Sequence, residues 1–370
     1  KSFMSIYDKF VKIFNAIAIL LVVLELLSVF TQHNLTEKQQ YMQILFGVGN
    51  PFLCTYSIIM TYYKDKTRAV LLEITVRLKQ VHNNLEVERH MLKQCKMYAI
   101  LFSSACYISM FSYCIDSFIQ KIKTGVPLNV VITVWPIADD KSFMAYVARL
   151  FYHIIWIMFT SQIVCLFIVV LSLNTCISHQ YKNLQNYFEG LNEVFTEDLN
   201  QNEKEDKYEI KFKVGIQAHS DTLSGQIVFC IIMLTILMYQ TFVLNKERSL
   251  GKTISASFTA LTTLSSTGFF MSNAGDVTYE ASHVGTSMYA SGWQNCHVAS
   301  SIRIRKLLVV AMSRAQMPVV MKGLGMMELS HQSFLSVILC RCANFLLIII
   351  TLSFLFLIVK FSYSLFSLLY

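Results

Sequence analysis

The sequence predicts an all-α membrane protein: seven transmembrane helices, a cytoplasmic N-terminus and a cytoplasmic helical anchor region. The length of the apolar runs is the first reason. The 370 residues are 54% apolar with mean hydropathy +0.49, and the apolar residues gather in runs of about 20, the length a helix needs to cross hydrocarbon. Helices are expected because backbone polar groups in lipid must be satisfied internally. The second reason is the placement of basic residues. With residue 1 in the cytoplasm, the segments on that side (before 13, 64–96, 174–222 and 275–329) hold 21 of the 31 lysines and arginines. The opposite segments (31–42, 120–142 and 245–252) hold 7, and 3 lie inside apolar stretches. Basic residues are retained on the cytoplasmic side, which sets the orientation. Third, helical apolar spacing persists outside the spans and predicts helices packed beneath the membrane.

The first span is expected over 13–30. Glu25 within it is expensive in lipid, and either a hydrogen bond inside the bundle or a pore-side charge accounts for it. The second span is 44–63. The sequon Asn34-Leu-Thr36 lies between the two, close to the bilayer. In 64–96, Leu71, Ile74, Leu78, Val81 and Leu85 step by three and four, which makes one apolar stripe on a helix. The third span is 97–119. The fourth stretch, 143–173, is longer than one bilayer and carries Arg149 and His153 near its outer end. Leu184, Tyr187, Phe188, Leu191, Val194 and Phe195 continue its helical spacing inward. Residues 196–211 are mostly charged and read as solvated or disordered. Although 174–222 holds 5 lysines against 9 acidic residues, the orientation rule counts lysine and arginine rather than net charge. The fifth span is 223–244. The sixth, 253–271, is weakly apolar and rich in Ser and Thr, which suits close helix packing or a ligand-facing wall. Residues 298–322 carry Arg303, Arg305, Lys306, Arg314 and Lys322 around an apolar stretch too short to cross, and are expected to form a cytoplasmic anchor helix. The last span falls in 330–370.

The net charge of +8 follows the cytoplasmic loops, so anionic membrane lipid is the expected partner and nucleic acid is not. The cysteines show no CxxC and no zinc spacing. No nucleophile, base or metal constellation appears at catalytic spacing, so no enzyme activity and no cofactor are expected; a lone Gly323–Gly325 pair means little. The chain opens on Lys1 rather than Met and its first residues carry no cleavable signal pattern, from which a short missing N-terminal piece is expected.

The last third carries specific residues. Gly275-Asp276 is followed by Tyr279-Glu280, Ser282, Tyr289, Trp293 and Cys296. Then come Arg305-Lys306-Leu307-Leu308, Met312, Arg314-Ala315-Gln316 and Pro318, then Ser333-Phe334-Leu335-Ser336-Val337-Ile338, and finally Phe361-Ser362-Tyr363-Ser364-Leu365-Phe366. This order, over roughly 275–370, resembles the C-terminal signature of insect odorant receptors. The related gustatory receptors close on a Tyr…Gln-Phe pattern that is absent here. The resemblance implies an odorant-gated, non-selective cation channel of an olfactory neuron's dendritic plasma membrane. It implies a heterotetramer with a shared co-receptor subunit, a small volatile ligand, and a pore lined by the last span. Val337, Ile338, Phe361 and Tyr363 are the pore-lining candidates. The alternatives are a G-protein-coupled seven-helix chemoreceptor, which would need an external N-terminus and whose Asp-Arg-Tyr and Asn-Pro-x-x-Tyr elements are missing, and a gustatory-type channel.

A pocket for a volatile ligand should be apolar and aromatic with few polar groups. By depth in the outer halves of the spans, the ligand-binding candidates are Phe52, Tyr56, Tyr113, Tyr152, Trp156 and Phe258; core packing or lipid contact is the competing role for each. One departure from the family pattern stands out. Residues 331–370 would make a helix of about 60 Å, against a hydrocarbon layer of about 30 Å. Removing 339–358 restores both the length and an unbroken family ending, so we expect this segment to be an intervening sequence absent from the native protein. Sequencing the expressed transcript tests this: a message that encodes 339–358 would favour an eighth crossing instead.

Overall fold

A computed structural model describes residues 2–33, 35–125, 130–246, 254–298, 300–316, 322–323 and 327–328. In chain order the elements are α1 (Ser2–Thr31), α2 (Glu37–Tyr62), α3 (Lys64–Leu72), a π-helical turn (Glu73–Arg77) and α4 (Leu78–Val81). Then come α5 (Leu85–Thr124), α6 (Phe143–Gly190), a 3₁₀ turn (Leu191–Thr196), α7 (Gln201–Lys246), α8 (Ile254–Tyr289) and α9 (Ser301–Ala315). The expected helical class holds. Strand pairing among the described residues amounts to the ladder of β1 (Lys322–Gly323) and β2 (Met327–Glu328), antiparallel. Four described stretches are long and apolar enough to cross a membrane: Val11–Thr31, Met42–Tyr62, Leu85–Ile119 and Phe143–Thr196. The backbones of α7 and α8 run through the fifth and sixth expected spans. The last span, with Val337, Ile338, Phe361, Tyr363 and the segment 339–358, lies outside the described residues, as does Asn34.

Local signals set the helix ends. Thr36 caps α2 in a reciprocal box with Gln39, which occupies the sequon's threonine with a structural role. The Asn84 side chain accepts from Glu86 N–H at 2.9 Å to start α5, and Gly125, with φ +72°, ends it in the left-handed conformation. Ser142 accepts from Ala145 N–H at 3.2 Å to start α6. The chain leaves α8 through Gly292. Its φ is +88°, and a Cβ there would lie 2.4 Å from Asn192 Oδ1, so both conformation and space require glycine.

Two expectations need correction. The stripe from Leu71 to Leu85 is not one helix: Ile74 and Leu78 are buried, while Leu71, Val81 and Leu85 are exposed. The π turn rotates the face, and Asn84 restarts the chain as α5. Gln180 Nε2 donates to Ile74 O at 2.7 Å, so a side chain of α6 is bonded to the backbone of this irregular turn. The second correction concerns 196–211. From Gln201 onward it is helix, with Glu205 and Tyr208 fully buried. Its carboxylates face partners: Glu209 pairs with Arg303 at 2.7 Å and Lys213 at 2.6 Å. Composition signals solvation only where charges lack such partners.

α6, α7, α8 and α9 pack together at one end of the bundle. There Phe188 meets Phe212 at 5.4 Å between ring centroids. Gly215 lets α7 approach that ring, since a Cβ would sit 2.7 Å from it. α9 lays Ile304, Leu308, Ala311 and Ala315 against this end, a helical stripe. Within the expected 298–322, α9 spans Ser301–Ala315, and residues 299 and 317–321 lie outside the described residues.

Candidate functional site

A cavity of about 120 Å³ opens where α2, α5, α6 and α8 face one another. Leu45, Phe46, Asn50 and Leu53 come from α2, and Phe102, Cys106, Ser109, Met110 and Tyr113 from α5. Trp156, Thr160, Ile163, Val164 and Phe167 come from α6, and Thr262, Thr263 and Ser266 from α8. On α5 and α6 the lining positions advance in the same steps of four, three, one and three, so each helix offers one continuous face. An engineered apolar cavity of about 150 Å³ holds benzene, so this space suits a molecule near that size.

Aromatic rings stand at both ends. Toward the 130–142 loop, Phe46 makes edge-on contacts with Trp156 at 5.4 Å and Tyr113 at 5.5 Å, and Tyr113 meets Trp156 at 6.0 Å. At the opposite end Phe102 meets Phe167 at 5.8 Å. Such ring pairs add to the area they bury. The loop itself is pinned across the ring triad. Gln32 Nε2 donates to Thr133 O and Val134 O, both at 3.0 Å. Arg149 Nη2 donates to Ile137 O at 2.8 Å and Ala138 O at 3.2 Å. Val130, Val131, Ile132 and Ala138 thereby join one buried cluster with Tyr113 and Trp156.

Between the rings the lining is mainly apolar, with a polar strip formed by Asn50, Ser109, Thr160, Thr262, Thr263 and Ser266. Three of its hydroxyls donate to main-chain carbonyls: Thr160 to Trp156 O at 2.9 Å, Ser266 to Thr263 O at 2.8 Å and Thr262 to Ala105 O at 3.1 Å. Asn50 is held from behind by α1, its Nδ2 donating to Glu25 Oε2 at 2.6 Å. Gly47 makes this possible. A Cβ there would stand 3.1 Å from both Glu25 O and the Val29 side chain, so glycine lets α1 close onto α2. Of the two roles open to Glu25, the hydrogen bond within the bundle is the one the geometry supplies. Its Oε1 is buried without a partner.

Of the residues expected at a site, Tyr113 and Trp156 line this cavity. Tyr56 is buried one layer away, stacked on Phe167 at 5.5 Å. Tyr152 packs half-buried on the loop-end cluster, and Phe52 is half-buried and off the lining. Phe258 lies in α8, and its side chain is outside the description. Depth ranking missed Phe46, Phe102, Phe167 and Asn50 because depth alone does not say which face of a helix turns inward. The usable signal was hydroxyl and amide residues at helical spacing within apolar spans: Ser109 on α5, and Thr262, Thr263 and Ser266 on α8.

The chain matches the model of the family described as 7tm Odorant receptor over residues 39–343. The match thus ends inside the segment 339–358. Among solved structures the chain is similar to the insect olfactory receptor OR5 from Machilis hrabei. The TM-score is 0.68 at 11% identity, over 91% of this chain and 87% of that one. It is similar also to the same receptor in complex with eugenol, with TM-score 0.69 at 13% identity, over 95% of this chain and 90% of that one. At these identities the likeness carries the fold alone. No curated protein matches the chain.

Proposed function

Because the chain belongs to the 7tm odorant receptor family, we propose that it is the odorant-binding subunit of a ligand-gated, non-selective cation channel and that the cavity among α2, α5, α6 and α8 is where the odorant acts. The observation that carries this reading is the cavity's construction: aromatic ends, an apolar body and a narrow polar wall inside a multi-pass helical bundle. Small volatile molecules are recognised by such sites. The Machilis receptor's complex with eugenol supports a small organic ligand. Tyr113 and Trp156 act as ring walls.

The partner is a co-receptor subunit in a heterotetramer at the plasma membrane of the olfactory dendrite. The packed end formed by α6 to α9 is the cytoplasmic anchor. The last span lines the pore, with Val337, Ile338, Phe361 and Tyr363 as candidates. Apolar side chains at a constriction close a pore by dewetting, and an odorant opens it by binding the open state more tightly.

Voltage clamp of cells expressing the chain with and without an insect co-receptor, across an odorant panel, tests this. An odorant-dependent current reversing near zero, larger or different in selectivity than with co-receptor alone, is expected. A panel that never separates the two conditions would remove the reading.

A further inference from the structure

We infer that Cys95 and Cys176 form an oxidation site, a pair of thiols that hydrogen peroxide joins into a disulfide, and that this bond locks α5 to α6 and lowers the odorant response. The effect on current rests on the channel reading; the cross-link does not. Cys95 lies on α5 and Cys176 on α6. Cys95 Sγ donates to Ser172 O at 3.8 Å. In an α-helix that carbonyl accepts the N–H of residue 176, so the Cys95 sulfur lies against the turn that carries Cys176. Both side chains belong to the same packed core, and the two thiols are hydrogen-bonded to each other. A thiol has one proton, and that of Cys95 is given to Ser172 O, so Cys176 is the donor in the shared bond. Cys95 is half-buried and Cys176 is 8% exposed, so peroxide reaches Cys95 first. Lys93 and Lys96 beside it are exposed, and basic residues mark the cytoplasmic end of a span. Cytosolic disulfides are transient and redox-sensing rather than structural, and both thiols are free here.

The Cys95 sulfur attacks one peroxide oxygen, the O–O bond breaks, and Cys95 becomes a sulfenic acid with release of one water. The Cys176 sulfur then attacks the Cys95 sulfur, and its proton leaves with the hydroxyl as a second water. Peroxide is reduced and the two thiols are oxidised; a cytosolic thiol such as glutathione reverses the bond by exchange. Cys95 lies about 10 Å along α5 from Phe102, and Phe102 meets Phe167 of α6 at one end of the cavity. The link therefore fixes the spacing of two cavity walls and opposes movement of α5 against α6.

The test treats cells expressing the chain with its co-receptor with hydrogen peroxide, then reads peptides by mass spectrometry with and without dithiothreitol. A peptide linking Cys95 to Cys176 that dithiothreitol separates is expected. The odorant current is expected to fall about two-fold and to recover in dithiothreitol, since the cross-link biases the receptor toward one state. Cys95→Ser and Cys176→Ala are expected to answer odorant before peroxide and to keep that current after it. The same co-receptor is present throughout, so oxidation of its cysteines is common to all three. Surface staining reports folding of each variant, and the wild-type peptide needs no variant. Absence of the linked peptide once other thiols of the chain are oxidised overturns the inference. So does a linked peptide that leaves the current unchanged, or a loss of current that persists in both variants. Odorant silence before any oxidant overturns the channel reading and with it the effect on current, while the peptide alone decides the cross-link.

Discussion

Trp156→Ala is expected to enlarge the odorant cavity and move the receptor's preference toward bulkier ligands, at a stability cost of about 3–5 kcal/mol. Trp156 is 3% exposed and touches three rings: Phe46 at 5.4 Å, Tyr113 at 6.0 Å and, in a stacked contact, His153 at 5.5 Å. It therefore serves both as a wall of the cavity and as a strut under the 130–142 loop. Removing the indole joins its volume to the existing space of about 120 Å³, and the loop cluster loses its floor. Two readouts separate the effects. Surface level and thermal stability in detergent report the lost packing. The order of potency in a homologous series of odorants reports the change in shape, with longer or branched members gaining on small ones. Trp156→Phe keeps a ring against Phe46 and should fall between. Unchanged size preference at a normal surface level would mean that the cavity is not where odorants bind.

Glu205→Ala is expected to unfasten α9 from the packed end, at a cost of about 3 kcal/mol, since hydrogen bonds to a charged group contribute about 1.5–3 kcal/mol each. Glu205 is fully buried. Its carboxylate accepts from His297 N–H at 2.5 Å, from Val298 N–H at 2.9 Å, from Gln201 Nε2 at 3.2 Å and from the Ser300 hydroxyl. Those donors lead directly into α9, so a negative charge there also complements the helix N-terminus. Burial pushes the Glu205 carboxyl up, but the Ser300, Val298, His297 and Gln201 hydrogen bonds together hold it below its ordinary value. A depressed carboxyl stabilises the fold above its unfolded-state pKa, and the contribution is lost as pH falls through the folded one. Acid should therefore loosen α9, and Glu205→Ala should flatten that acid limb. Glu205→Gln, which accepts but carries no charge, should lose less. Detergent thermal melts across acidic pH check all three; an alanine variant with wild-type stability at neutral pH would dismiss the clasp.

Particular residues show how far the chain could be read in one dimension. The apolar runs at 13–30, 97–119 and 143–173 each fall within one observed helix, and 44–63 passes the end of α2 by one residue, because hydropathy belongs to contiguous residues and lipid selects on each stretch separately. Glu25 was legible as an anomaly, but not its partner, which lies on another helix. Two of the ring candidates, Tyr113 and Trp156, reached the cavity, while Tyr56 fell one layer behind it. Depth places a side chain along the bilayer normal and says nothing of rotation about the helix axis. The charged run after 196 misled for a related reason. Glu205 and Glu209 look solvated until the N-terminus of α9 and Arg303, about ninety residues on, are folded against them.

Membrane character, helical class and family were thus written in local order: run length, basic bias and a motif string need no knowledge of what packs on what. The cavity, the Glu25–Asn50 pair and the Glu205 clasp came into being only when separate helix faces met. Each depends on distances between residues far apart in the chain, and on small residues such as Gly47 and Gly215 that let the helices approach closely enough for those distances to exist.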